Sequence, residues 1–441
     1  MRASLTSRLL RAPLAALGLT LAAGLTSAVA VGCAKKENIS NPEAPMWLHR
    51  PAWALHVAFR RMLTADQGLT QKTGLEKSIP GIDARHGRIF VGTSDHGLYA
   101  LRAGDGSVIW RYNTAGSVNS EPYYDDDLDI VYFGSDDDGM YAVRGRDGSL
   151  VYRFRTGAEV QKRPIVVTRP TGKKIVIFCN SADSVFAADA ETGKQLWRRV
   201  RTPALGLEIA GHAGVTVDGD RVYAAFSTGR VAAYDVDTGK DKWAEVDLSA
   251  PTGAAVDEGE QQYFDVDTTP VVHGDRVYVA SIQTGVYALD ATGGAQVWRR
   301  AETEGVSWIT YWSEPEHVVT TTRGPITVPA HQLLIAASGT TGLWALDPKT
   351  GEVRWRRKGP RGALSYPVAM GGALLVTSSK LGVFLFDPMY GNVIDGIDPG
   401  TGFSSGAGAY GNRAFVMTNG GILLGLEVVP PTEAPASTKS W

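Results

Sequence analysis

The sequence predicts an all-β protein, an eight-bladed β-propeller of four-stranded antiparallel blades whose ring is closed by an N-terminal strand. Three observations predict it. First, an eleven-residue phrase recurs seven times between residues 100 and 395, clearest at Ala345-Leu346-Asp347-Pro348-Lys349-Thr350-Gly351-Glu352-Val353-Arg354-Trp355. Its copies end at 110, 152, 197, 243, 298, 355 and 395, a repeat of forty to fifty-seven residues that suits one four-stranded blade. Second, helical periodicity is absent from about residue 75 to 428. Third, the last unit has the strands Arg413-Ala414-Phe415-Val416 and Gly421-Ile422-Leu423-Leu424 but no closing strand, while Trp53 to Phe59 offers a spare one. Pairing the two ends removes exposed sheet edges. Seven blades with a C-terminal hairpin is the alternative count.

Within a unit the elements follow one order. Asp129 to Gly134 is rich in β-branched and aromatic residues, and Ser135 to Gly139 turns the chain into Met140-Tyr141-Ala142-Val143. Asp147-Gly148 then turns into Leu150 to Phe154, because Gly supplies the positive φ that a tight hairpin requires. A short strand opens each unit, often marked by Pro: Glu121-Pro122, Arg163-Pro164, Thr269-Pro270, Val328-Pro329 and Tyr366-Pro367. The recurring Trp110, Trp197, Trp243, Trp298 and Trp355 read as blade-packing residues, each N–H finding a fixed partner. The arginines that follow (Arg198-Arg199, Arg299-Arg300, Arg356-Arg357) read as charges that keep the outermost strand from pairing with other chains.

Both ends lie outside the repeat. Residues 1–32 carry Arg2, Arg8 and Arg11 and then the apolar run Leu14 to Val31, the layout of a secretory signal peptide. Ala30-Val31-Gly32-Cys33 resembles the bacterial lipoprotein box, which implies lipidation at Cys33 and a membrane held through acyl chains rather than a spanning helix. An uncleaved anchor is the alternative. Ala34 stands where Asp typically retains lipoproteins at the inner membrane, so the resemblance implies the outer membrane, periplasmic face. Residues 33–50 read as a tether, 51–429 as the propeller, and 430–441, rich in Pro, Ser and Thr, as a disordered tail.

Composition narrows function mainly by exclusion. The 441 residues are 44% hydrophobic and carry a net charge of −2, or about −5 without residues 1–32. No basic stripe interleaved with aromatics suggests nucleic acid. Cys179 lies in the apolar run Lys174 to Cys179 and reads as a buried, inert thiol. The histidines lack zinc-site spacing, and no nucleophile elbow or phosphate loop is present. The acidic runs Asp125-Asp126-Asp127 and Asp136-Asp137-Asp138 fall in hairpin turns, where Asp bonds its own backbone and stays solvated. No enzyme chemistry, metal or cofactor is expected, and the chain is expected to be monomeric.

Deviations from a repeat map to loops on one face. Pro203-Ala204-Leu205-Gly206-Leu207-Glu208 sets two leucines in a loop between blades 3 and 4 with no core duty, a recognition signal. Asp265-Val266-Asp267-Thr268-Thr269-Pro270-Val271-Val272 opens blade 5 with two Asp on one side of an extended segment. Residues 306–325 also fall outside the period, crowding Trp308, Tyr311 and Trp312 beside Glu314, Glu316 and Arg323, either as an added hairpin packed over a blade or as a second contact surface.

The repeat resembles the pyrroloquinoline-quinone propellers of quinoprotein dehydrogenases, but the adjacent-cysteine disulfide typical of those enzymes has no counterpart here. Taken with the two loops and the lipoprotein box, the chain resembles the BamB family, lipoprotein propellers of the outer-membrane β-barrel assembly machinery. That family carries Pro-x-Leu-x-Leu-Arg-Gly and then Asp-Val-Asp-Thr-Thr-Pro-Val-Val. The second motif is matched in full and the first at Pro203, Leu205 and Leu207, with Glu208 in place of the family's Arg. The resemblance implies a non-enzymatic scaffold in which Leu205, Leu207, Glu208, Asp265 and Asp267 face a POTRA domain of the BamA-type barrel protein. Glu208 puts one ion pair of that contact in doubt. A generic periplasmic propeller binding another protein or a glycan, and a quinoprotein dehydrogenase, remain the competing readings.

Overall fold

The computed structural model describes residues 54–64, 75–202, 213–249, 266–321 and 324–429. Cys33, Leu205, Leu207, Glu208 and Asp265 lie outside the described residues, as do residues 1–50 and 430–441. Among the described residues are eight four-stranded antiparallel sheets and one two-stranded hairpin. Blades 1 to 7 span residues 81–113, 123–155, 165–199, 215–247, 271–300, 306–357 and 368–397. In each, chain order runs from the innermost strand, which touches its counterparts in neighbouring blades, to the outermost. Blade 8 takes three strands from residues 408–428 and its outermost from Leu55–Met62, paired with Ile422–Val428. Eight blades closed by the N-terminal strand is the architecture the sequence predicts.

The burial pattern explains why neither a strand nor a blade stands alone. Second and third strands such as Ile130–Ser135 and Gly285–Asp290 are almost wholly buried, so both faces of each sheet need cover. Adjacent blades supply it: eight apolar clusters each straddle one junction. At the junction of blades 3 and 4, Ile177, Val185 and Trp197 meet Val222, Phe226 and Tyr234. Cys179 lies buried in that cluster, its thiol pushed up to about 12 by burial, and donates to the carbonyl of Ala213. It is the inert thiol expected.

The eleven-residue phrase proves to be a fastener between blades. Its aromatic end belongs to one blade and its Gly-turn to the next. Trp110 packs on Gly148, Trp197 on Gly239, Trp243 on Gly294, Trp298 on Gly351 and Trp355 on Gly391, with Tyr152 on Gly193 at the degenerate copy. All five tryptophans are buried. Four indole N–H groups donate to a carbonyl of the next blade: Gly145, Val236, Pro348 and Pro388. Trp243 Nε1 has no such partner among the described residues. At the closure Phe59, from the N-terminal strand, covers Gly106 of blade 1 as the tryptophans do elsewhere. At the junction of blades 7 and 8 the phrase ends in Asp395, whose carboxylate accepts the backbone N–H of Leu55 at 2.9 Å.

Four expectations need correction. The arginine directly after the aromatic does more than guard an edge. Arg111, Arg153, Arg198, Arg299 and Arg356 lie opposite Tyr99, Tyr141, Phe186, Tyr287 and Trp344 on the third strand, guanidinium over ring at 4.4–5.8 Å. Val328-Pro329 opens no blade: the innermost strand of blade 6 is Val306–Glu314, and Gly324–Val328 pairs with His317–Thr321 in an extra hairpin. The aromatic run therefore belongs to the ring. Trp312 is buried and Tyr311 stacks on His273 at 3.8 Å. The acidic turns are not simply solvated, because long basic or phenolic side chains of the sheets reach them. Asp125 is buried against Lys174 at 2.6 Å, and Asp137 accepts from Tyr141 at 2.6 Å.

Candidate functional site

The two segments outside the repeat leave the described fold at Thr202 and Ser249 and rejoin it at Ala213 and Val266. Each links the outermost strand of one blade to the innermost strand of the next, so both emerge on one face, from the consecutive junctions 3/4 and 4/5. The candidate site is this rim.

The blade-5 end of the rim is built from the second motif, and most of that motif is structural. Val266 is fully buried in the cluster between blades 4 and 5. Thr268 Oγ1 accepts the Ala280 N–H at 2.7 Å and donates to the same residue's carbonyl, fixing the entry to the innermost strand. Thr269 Oγ1 accepts the Gly214 N–H at 3.0 Å, and the Pro270 carbonyl accepts from Thr216, stitching blade 5 to blade 4. Asp267, expected at the partner surface, is buried at 4% exposure.

The blade-4 side carries groups that sequence reading passed over. A cleft of about 430 Å³ is lined by Val200, Arg201, Thr202, Thr228, Arg230 and neighbours Asp247 and Ser249. Arg201 and Arg230 both pair with Glu245, the latter at 3.2 Å, and Arg230 also approaches Asp247 at 3.4 Å. The Arg201 guanidinium lies 4.3 Å over the Phe226 ring, which removes much of its freedom. Burial would raise the Asp247 carboxyl, but the hydroxyl and backbone N–H of Ser249 and the charge of Arg230 hold it below the ordinary value. Val200 stands 59% exposed beside this ion-pair network. The cleft is part apolar, and its charged groups pair with one another. These residues lay hidden because strand pairing across blade 4 is what sets Asp247 opposite Arg230.

Comparison with known proteins agrees with this geometry. The family model described as "Outer membrane protein assembly factor BamB" matches residues 65–162, 127–310 and 284–428, nearly the whole propeller. The chain belongs to the BamB family. Curated family members include those of Legionella pneumophila (strain Paris), 24% identical over 227 residues, and Shewanella oneidensis, 23% identical over 236 residues. These alignments cover 51% and 53% of this chain and 53% and 46% of the relatives, so the chain spans about half the length of the curated relatives it matches. Among solved structures, BamB from Moraxella catarrhalis superposes with a TM-score of 0.64 at 18% identity, covering 85% of this chain and 99% of that one. A quinohemoprotein alcohol dehydrogenase from Pseudomonas putida shares the fold at a TM-score of 0.56 and 16% identity, covering 88% of this chain and 78% of the enzyme. At such identities the structural likeness speaks for the fold alone. BamB-family membership is carried by the family model.

Proposed function

We propose that the chain is a non-enzymatic periplasmic scaffold of the outer-membrane β-barrel assembly machinery. It is anchored by lipid on Cys33 and docks through the rim of blades 3 to 5 onto a POTRA domain of a BamA-type barrel protein. The observation that carries the reading is that the described residues flanking both BamB-family motifs, Thr202 and Ala213, then Ser249 and Val266, sit at consecutive blade junctions. In this arrangement Leu205 and Leu207 form the apolar anchor and Glu208 and Asp265 its acidic rim. Arg201 and Arg230 also lie on that rim, both paired with Glu245. Asp267 belongs to the same motif and is buried in the isolated chain.

The mechanism is positional: a rigid ring, its blades locked one to the next, holds a flexible multi-domain partner at a fixed place. The test is a pull-down from detergent-solubilised outer membranes with the native chain as bait. A POTRA-containing barrel protein should be recovered, and Leu205→Asp should abolish its recovery. Wild-type bait that recovers none refutes the reading. In fractionation, Cys33→Ala should move the protein to the soluble fraction, whereas continued tight membrane association would argue for an uncleaved anchor.

A further inference from the structure

A second cluster of charged and aromatic side chains lies where the innermost strands converge. At one level of the inner wall the blades repeat a structural hydroxyl. Ser78, Ser120, Thr268 and Ser365 accept the backbone N–H of Gly92, Gly134, Ala280 and Thr377 in blades 1, 2, 5 and 7. Each of these residues stands two positions before the Pro that marks its innermost strand, and in blade 3 that position, before Pro164, is Lys162. A lysine has no acceptor to offer a backbone N–H, so the substitution gives up the local clamp and places an ammonium on the axis.

The surroundings of Lys162 come from blades across the ring. Its Nζ lies 5.2 Å from the centroid of Trp308 of blade 6. Tyr366 of blade 7 meets Trp308 edge-on, with centroids 6.0 Å apart. Next to Lys162, Arg163 pairs with Glu121 of blade 2 at 2.8 Å and lies 5.1 Å over Tyr123. Among the described residues no carboxylate reaches ion-pair distance of Lys162, and burial, only partly opposed by Asp267, holds its ammonium below the ordinary lysine value. Burial likewise raises the Glu121 carboxyl against the pull of Arg163. Yet Glu121 is 25% and Arg163 49% exposed, and Lys162, Trp308 and Tyr366 are all part-exposed, so solvent reaches this cluster.

The geometry points to a binding site for a small aromatic carboxylate on the propeller axis. Lys162 takes the carboxylate, Trp308 and Tyr366 take the ring, and the Arg163–Glu121 pair forms the polar wall. A few convergent charged groups against aromatic faces are the composition of small-ligand sites. An anion here supplies a carboxylate at ion-pair distance of Lys162, which no described residue does. Blades 2, 3, 6 and 7 contribute, so the site exists only in the closed ring.

The test is isothermal titration calorimetry of the purified chain with naphthalene-2-carboxylate, alongside the neutral naphthalene-2-methanol, while following tryptophan fluorescence. The carboxylate should bind saturably at one site per chain, at least about tenfold more tightly than the alcohol. Lys162→Met should weaken the carboxylate about tenfold and leave the alcohol unchanged, while Lys162→Arg should retain the preference. No saturable binding to the wild-type chain, or no preference for the acid over the alcohol, overturns the proposal. So does undiminished affinity in Lys162→Met. The wild-type comparison stands whether or not a variant folds, and its result is independent of the barrel-protein pull-down.

Discussion

Gly294 lies against the indole of Trp243 so closely that a methyl group placed on its Cα would come 2.1 Å from Trp243 Cε3. Gly294 also has φ +74°, a conformation that L side chains rarely adopt. Two constraints, one steric and one conformational, thus meet at a single position of the repeat. Gly274, with φ +60° and no atom within 4 Å of such a methyl, carries only the second. Gly274→Ala is expected to cost about 1 kcal/mol. Gly294→Ala is expected to cost roughly 2–4 kcal/mol, because overpacking is added to the backbone strain. Urea unfolding of the two variants separates the terms, and equal costs would show that the indole yields freely.

Asp125 and Lys174 form an ion pair across the junction of blades 2 and 3, with both side chains at or below 10% exposure. Burial alone would lower the Lys174 ammonium, but the hydrogen bonds it donates to Asp125 and Asp127 raise it above the ordinary value, so it stays charged through the neutral range. Lys174→Met strands a buried carboxylate and should cost about 3 kcal/mol or more at pH 7. Adding Asp125→Asn should recover most of that loss. A double-mutant cycle by chemical denaturation checks it, and additive losses would remove the pair from the account.

The Asp235 carboxyl is held at about 2 by a hydrogen bond from Lys242, against some desolvation, with the hydroxyl and N–H of Thr238 adding to it. Its folded value lies below that of the unfolded chain. The stabilisation is therefore present above about pH 4 and is lost as pH falls through about 2. After allowance for solvent screening it amounts to about 1 kcal/mol. Stability measured from pH 5 to pH 2 should fall less steeply in Asp235→Asn than in the wild type. Parallel profiles would contradict the assignment.

The hairpin His317–Thr321 and Gly324–Val328 pairs with itself and joins no blade. Val318 is 62% and Ile326 54% exposed on it. Replacing residues 317–328 by a Gly-Gly turn should leave the melting temperature within about 3 °C of the wild type, the range of surface changes. A fall of ten degrees or more would mean that blade 6 leans on the hairpin.

The ring was legible because its signal is repeated. Each Trp and each turn Gly appears several times at one spacing, and the missing strand of blade 8 leaves a vacancy that Leu55–Met62 fills. What the sequence could not display are contacts between distant repeats. Arg356 reads as an edge charge until strand pairing sets it over Trp344. Trp308 and Tyr311 look like an insertion, because the hairpin after them lengthens blade 6 and shifts the apparent start of its first strand. Asp267 alternates with Asp265 in a manner that suggests a shared exposed side, yet it is buried, since the packing of blade 5 on blade 4 decides which side faces solvent. Lys162 gives no signal at all as a single residue. It acquires meaning only once the counterparts two residues before each strand-opening Pro are seen to be Ser or Thr that clamp a backbone N–H.

The N-terminal strand that completes blade 8 also determines how the molecule bears load. A pull on the residues before Ala54 enters the ring at Leu55, whose N–H is held by Asp395 and whose pairing partner is Val428. Leu55–Met62 runs antiparallel to Ile422–Val428, so tension along the incoming chain falls first on this one end of the ladder, and only later on Phe59 over Gly106. The seam would yield from its edge, residue pair by residue pair, while the seven seams fastened within continuous chain stay unstressed. The place where the circle is joined is thus its mechanical fuse.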